Sequence, residues 1–240
     1  MRKAILAVAG MGILLAWAGQ SVRAQQSPHP VFSSNAQAER IPNLDALKKE
    51  LRDYHECTCK CGCWTRDIDG QADKAIAYLR QRAAHRRPNE KLAVILDIDE
   101  TTLSNYTEEL DHDFAYNAAD FDAWVQTAQA PAIAGTLRIY KEAQRLGVDV
   151  FFITGRKETE RDATERNLRA QGFGGWRLLF MRPVEHGTQT IGEYKAVIRG
   201  QLVKQGYVLA LNVGDQWSDL KGKPEAEFSV KYPDPYYFIP

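Results

Sequence analysis

From Lys91 onward, short runs of consecutive apolar residues alternate with longer stretches in which apolar residues recur every three or four positions. The runs Leu92 to Leu96, Val148 to Ile153, Arg177 to Met181 and Tyr207 to Val213 predict buried strands. The spacing between them predicts helices over Ala132 to Leu146, Thr159 to Gln171 and Ile191 to Gln205, with Gly147, Gly172 and Gly206 as helix-closing glycines. Continuous apolar strands alternating with helices imply a doubly wound α/β fold, a parallel sheet covered on both faces. Ligands of such sheets bind beyond the carboxyl ends of the strands.

Two amphipathic helices precede this core. Leu44, Leu47, Leu51 and Tyr54 form one stripe behind the start signal Pro42-Asn43, and Ala72, Ile76, Leu79 and Ala83 form another. Both stripes are expected to be packing faces. Residues 25–40 lack periodicity and read as a flexible lead-in. Residues 1–24 read as a secretory signal: Arg2 and Lys3, the apolar run Ala4 to Gly19, then Val22-Arg23-Ala24 with small residues for cleavage after Ala24. The 16 residues of that run fall short of the roughly 20 needed to span a bilayer, so no stable membrane anchor is expected. The chain is thus parsed as a leader (1–24), a lead-in (25–40) and one domain (41–240), the last comprising a helical annex (41–90) and an α/β core (91–240).

Of the 240 residues, 31 are basic and 31 acidic. Without the leader there are 28 basic against 31 acidic side chains, a net charge of −3. That balance supplies no general attraction for a nucleic acid polymer or an anionic membrane. An apolar content of 44% excludes a disordered or fibrous chain.

Polar groups stand where three strands are expected to end. The first strand runs into Asp97-Ile98-Asp99-Glu100-Thr101-Thr102, the second into Thr154-Gly155-Arg156, and the fourth into Gly214-Asp215-Gln216-Trp217-Ser218-Asp219. Asp97 and Asp99, two apart on extended backbone, start from the same side. Carboxylates gathered at one rim repel one another, so that either protons or a cation must neutralise them. All-oxygen donors favour a hard ion, and Mg²⁺ commonly combines one or two carboxylates with water and phosphate oxygens. A carboxylate such as Asp97 could then attack phosphorus. Each motif alone has an ordinary structural role, since acidic pairs cap helices and a surface lysine such as Lys195 is usually solvated. Their order behind successive strands carries the signal.

These motifs, in this order, resemble the four motifs of the haloacid dehalogenase-like superfamily. More narrowly, Leu96 to Asn105 and the Gly-Asp-Gln-Trp-Ser-Asp run resemble secreted acid phosphatases of the class B and C type and their plant vegetative storage protein relatives. The resemblance covers Ile41 to the carboxyl terminus. It implies a Mg²⁺-dependent hydrolase of small-molecule phosphate monoesters with Asp97 as nucleophile and as a ligand to the ion. Asp99 would be the acid and base, its carbonyl also holding the ion. Thr154, Gly155 and Lys195 would grip the phosphoryl oxygens, and Asp215 and Asp219 would be metal ligands. Two alternatives stay open: a non-catalytic phosphate-binding or storage-type protein of the same fold, and a phosphotransferase to alcohol acceptors. In storage relatives the nucleophile can be missing; here it is present. Class C enzymes are commonly lipoproteins, but this leader lacks an acylatable cysteine. A periplasmic or secreted soluble product is therefore expected. The natural ester and the oligomeric state are not specified.

All four cysteines lie in Cys57-Thr58-Cys59-Lys60-Cys61-Gly62-Cys63. In an exported protein disulfides are the default, with a soft-metal site near His55 as the alternative. Asp111-His112-Asp113 reads as a solvated loop. Tyr106, Phe121 and Trp124 fall in an insert that could stack on a substrate ring or simply pack. Tyr232 to Phe238 reads as an extended, docked tail.

Overall fold

The fold is taken from a computed structural model, which describes residues 42–57, 63–185 and 187–239. The expected leader and lead-in, together with Cys59 and Cys61, lie outside the described residues. Pro42 to Pro240 forms one unit.

Five parallel strands make the sheet: β1 (Lys91–Leu96), β2 (Asp149–Lys157), β3 (Leu178–Arg182), β4 (Tyr207–Gly214) and β5 (Phe228–Lys231), in the order β3-β2-β1-β4-β5. The chain steps outward from β1 to β3 and then crosses back to place β4 on the other side of β1. The direction of winding therefore reverses between β1 and β4, which is where such sheets open a crevice. The four expected strands are present. The fifth was not foreseen, because Phe228-Ser229-Val230-Lys231 is a four-residue edge strand too short to carry a pattern.

Alternation along β1 sorts side chains into two cores. Leu92, Val94 and Leu96 join the larger core with α2 (Cys63–Ala84) and α5 (Ala134–Arg145). Ala93 and Ile95 face the other way, onto Tyr194, Ile198 and Leu202 of α7 (Ile191–Lys204). β2 alternates likewise, with Val150 and Phe152 on the first side and Phe151 and Ile153 on the second. This parity aims the next odd residue, Asp97, at α7.

The helices α5, α6 (Arg161–Ala170) and α7 fall within the expected spans. Gly147, Gly172 and Gly206 follow their ends with φ of 61°, 90° and 86°, the left-handed backbone that favours glycine. The insert after β1 contributes α3 (Tyr106–Asp111) and α4 (Ala118–Thr127), and α8 (Trp217–Leu220) is one turn after β4.

In the annex, α2 buries Ala72, Ile76 and Leu79 as expected. By contrast α1 (Leu44–Glu56), capped by Asn43 Oδ1 at 3.0 Å from Asp45 N, buries none of its residues, and Leu44 and Leu47 are 63% and 38% exposed. Its contacts concentrate at the carboxyl end, where Tyr54 donates to Asp67 at 2.9 Å and His55 stacks between Trp64 and Tyr106. Cys57 and Cys63, six residues apart, form a disulfide that links the end of α1 to the start of α2. No helix among the described residues is long and apolar enough to cross a membrane.

Candidate active site

The segment after β1 turns sharply. The Ile98 carbonyl accepts from the backbone N–H groups of Thr102 and Leu103 at 2.8 and 2.9 Å, and Thr102 Oγ1 donates to the Asp97 carbonyl. Glu100 takes a left-handed φ of 51°, an unusual state for a side chain with a Cβ. Its buried carboxylate accepts from Asn105 N at 2.5 Å and Asn105 Nδ2 at 2.9 Å, which locks the turn. Asp97 N donates to the Val213 carbonyl at 3.0 Å, so the ends of β1 and β4 stay level.

Asp97, Asp215 and Asp219 are buried together, each offering a carboxylate oxygen within 4.8 Å of the others. Lys195 reaches the group from α7, donating to Asp97 Oδ1 and, at 2.5 Å, to Asp219 Oδ1. Burial pushes the Asp97 carboxyl up to about 7; Lys195 opposes this, while Asp219 and Asp99 add to it. Burial, then repulsion from Asp219 and Asp97, holds the Asp215 carboxyl well above the carboxylate range. Burial disfavours the Lys195 ammonium, yet Asp219 and Asp97 outweigh it and raise its pKa above the ordinary value.

Asp99 is held differently. Its Oδ1 accepts from Arg156 Nη2 at 2.7 Å, Arg156 Nε at 2.9 Å and Asn105 Nδ2 at 2.9 Å, leaving Oδ2 with one longer contact of 3.3 Å. The charges therefore divide. Arg156 answers Asp99 and Lys195 lies between Asp97 and Asp219, whereas the donors to Asp215 are neutral, Thr101 Oγ1 at 2.9 Å and Gln216 Nε2 at 2.8 Å, and its other side-chain contact is a further carboxyl, Asp234. The surplus negative charge and all-oxygen donors fit a hard divalent cation.

Asp219 is positioned by residues without a role in the sequence reading. Arg199, fully buried one helical turn beyond Lys195, donates to the carbonyls of Asp219 and Gly222 at 2.7 Å and of Pro224 at 2.8 Å. Asn212 Nδ2 donates to the same Asp219 carbonyl at 2.9 Å. A Cβ on Gly214 would come 2.7 Å from Asp219 Cγ, so glycine is required for the carboxylate to fold back over β4. A signal for Arg199 existed: a basic residue within the apolar stripe Tyr194, Ile198, Leu202 must find acceptors inside.

A cleft of about 570 Å³ opens above these groups. It is lined by Asp97, Asp99, Gly155, Lys195, Asp215 and Asp219, so six of the seven candidate residues border one space. Thr154 does not border it: fully buried, it accepts from Arg156 N at 3.1 Å through its hydroxyl. The mouth is apolar and open, with Tyr116 at 71%, Val184 at 59% and Phe238 at 73% exposure. Of Tyr106, Phe121 and Trp124, Phe121 lines the cleft, beside Tyr116 of the same insert. Trp124 donates to Asn105 Oδ1 at 2.9 Å, and Tyr106 stacks on His55. In the Asp111-His112-Asp113 loop, His112 pairs with Glu108 and Asp120, and Asp113 with Lys48 and Arg52. The tail is docked, with Tyr232 and Tyr236 buried and Tyr237, Phe238 and Ile239 forming one wall of the cleft.

Known proteins resemble this chain in sequence and in fold. Acid phosphatase 1 of Solanum lycopersicum is 39% identical over 176 residues, covering 72% of this chain and 68% of that one. Vegetative storage protein 1 of Arabidopsis thaliana is 32% identical over 152 residues, 61% of this chain and 55% of its own. The class C acid phosphatase from Bacillus anthracis, solved with tungstate bound, superposes with a TM-score of 0.65 at 22% identity, covering 80% of this chain and 86% of that one. The family model for the acid phosphatases of HAD subfamily IIIB matches residues 18–240. The chain belongs to the HAD superfamily, subfamily IIIB, the acid phosphatases.

Proposed function

We propose that the protein is an exported, Mg²⁺-dependent acid phosphatase that hydrolyses small phosphate monoesters through an aspartyl phosphate on Asp97. The observation that carries this reading is the buried trio Asp97, Asp215 and Asp219, bridged on one side by Lys195 and left with uncompensated charge at Asp215. Asp97, Asp215, Asp219 and the Asp99 carbonyl are the groups that would hold Mg²⁺. When bound, the ion neutralises charge between the carboxylate nucleophile and the incoming phosphoryl oxygens.

The ester's phosphoryl group enters with its oxygens toward Lys195 and the Gly155 N–H, with Thr154 behind them. Lys195 supplies a fixed positive charge where negative charge accumulates. An Asp97 carboxylate oxygen forms a bond to phosphorus as the bond to the leaving oxygen breaks. Asp99 serves as the acid, passing a proton from Oδ2 to that leaving oxygen, while Oδ1 stays anchored to Arg156 and Asn105. The same Oδ2 then removes a proton from water as water attacks phosphorus, freeing phosphate and restoring Asp97.

The Cys57–Cys63 disulfide supports export to an oxidising compartment, the periplasm or the exterior, as does the leader-like start of the sequence. The annex (41–90) serves the core (91–240) by carrying His55 and Trp64 to the tail that walls the cleft. The test is direct: purified protein should release phosphate from a chromogenic ester, lose activity with EDTA and regain it with Mg²⁺. Phosphate binding without turnover would instead favour the storage-type reading, and an alcohol phosphate formed when alcohol is added would reveal transfer.

A further inference from the structure

The tail that follows β5 does more than cover the site. Pro233 and Pro235 flank Asp234, restricting the backbone on both sides. Tyr232 N donates to the Gly214 carbonyl at 2.9 Å, and buried Tyr236 stacks against Phe114, so Asp234 is fixed from both directions. Its Oδ1 accepts from Tyr236 N at 2.9 Å, and its Oδ2 accepts from Gln216 Nε2 at 2.6 Å.

Gln216 is buried and its amide is committed in every direction. Nε2 gives one hydrogen to Asp215 Oδ2 at 2.8 Å and the other to Asp234, while Oε1 accepts from Ile239 N at 3.2 Å. An amide can turn about its last bond and exchange oxygen for nitrogen. Turned, it would present Oε1 to the Asp215 carboxylate, replacing attraction by repulsion. Asp234 and Ile239 oppose that turn, because an ionised Asp234 carboxylate accepts and does not donate, and the Ile239 N–H donates and does not accept.

We propose that Asp234, reaching in from the carboxyl-terminal tail, is a positioning residue for the metal centre: it fixes the Gln216 amide, which in turn orients Asp215. The proposal rests on the reading of Asp215 as a ligand to Mg²⁺. Partners that orient a ligand from behind commonly change metal affinity 10- to 100-fold, and the expected loss here is about tenfold.

Mg²⁺ binding to metal-stripped protein, measured by calorimetry, tests this without reference to turnover. Asp234→Ala should bind Mg²⁺ about tenfold more weakly, and activity lost at low Mg²⁺ should return as Mg²⁺ is raised. Asp234→Asn keeps the volume and the bond to Tyr236 N but turns an NH₂ toward the Gln216 NH₂; it should weaken Mg²⁺ binding in the same direction and guards against a misfolded alanine variant. Gln216→Ala should also bind more weakly, and adding Asp234→Ala to it should cost no further affinity. Unchanged affinity in folded Asp234→Asn would overturn the proposal. So would losses that add fully in the double variant, because Asp234 would then act by its charge alone. A wild-type protein that takes up no Mg²⁺ would remove the metal reading itself, an outcome distinct from either.

Discussion

The floor and the mouth of the cleft are built on opposite terms. At the floor, the charged groups hang from strand ends or buried helix faces and, Asp215 apart, are matched by charged or carbonyl partners: Lys195 by Asp97 and Asp219, Arg156 by Asp99, Arg199 by backbone carbonyls. At the mouth, Tyr116, Val184 and Phe238 stand mostly in solvent on loops and a tail. Chemistry at the floor needs fixed geometry, because a buried charge that loses its partner costs several kcal/mol. Selection of a leaving group at the mouth needs only apolar surface, where one ring contributes about 1 kcal/mol. Changes at the floor should therefore be severe and common to all esters, and changes at the mouth mild and ester-dependent.

The largest expected effect is at Asp97. Asp97→Asn should lower kcat by about 10⁴-fold or more for every ester, since a carboxamide is a poor nucleophile, as steady-state assays would measure. Activity within about tenfold of wild type would remove Asp97 from the reaction. Next comes Arg199→Leu, which strands the carbonyls of Asp219, Gly222 and Pro224. Denaturant unfolding should show a loss of about 3 kcal/mol, with weaker Mg²⁺ binding because Asp219 is released. A stable variant with unchanged metal affinity would break the claim that the floor is rigid.

At the mouth, Phe238→Ala should raise KM for an aryl phosphate about three- to tenfold and leave kcat and glycerol phosphate kinetics unchanged. A matching fall in kcat for both esters would erase the distinction between floor and mouth. The smallest effect belongs to the annex. Burial between Trp64 and Tyr106 lowers the His55 imidazole to about 4 from an ordinary 6.5. The unfolded chain therefore binds the extra proton first as pH falls, so this part of the stability is full above about 6.5 and lost between there and about 4. His55 is only partly buried, and solvent screening limits the loss to roughly 1 kcal/mol. Wild type should lose more stability than His55→Phe between pH 7 and pH 4.5; equal losses would contradict the assignment.

The same division explains what was legible in the sequence. Strand parity and motif order disclosed the floor, since a buried strand leaves an unmistakable apolar run and the residue after it can face only one way. Asp97, Lys195, Asp215 and Asp219 converge because three elements end at one rim, which topology alone implies. The helix stripe of α2 was equally readable, whereas that of α1 was not: Leu44 and Leu47 have helical spacing but stay exposed, because periodicity reports a face and not its partner. Arg199, Asn105 and Asp234 were missed for another reason. Each acts through a long-range hydrogen bond, to segments 20 or more residues away for Arg199 and 18 for Asp234, and local pattern does not name such partners, even where, as for Arg199 in its apolar stripe, it signals that acceptors are needed. Asn105 serves the turn beside it, but its bond to Trp124 depends on how the insert folds back. The disulfide was expected within the cysteine run, yet its partners, Cys57 and Cys63, were set by the close of α1 against α2.

The central claim is that Asp97 becomes covalently phosphorylated, and borohydride trapping tests it most directly. An acyl phosphate quenched with borohydride during turnover is reduced to the alcohol, so peptide mass spectrometry should find homoserine in place of aspartate at position 97, only when ester and Mg²⁺ are both present. Reduction at a different carboxylate under those conditions, with Asp97 intact, would contradict the account.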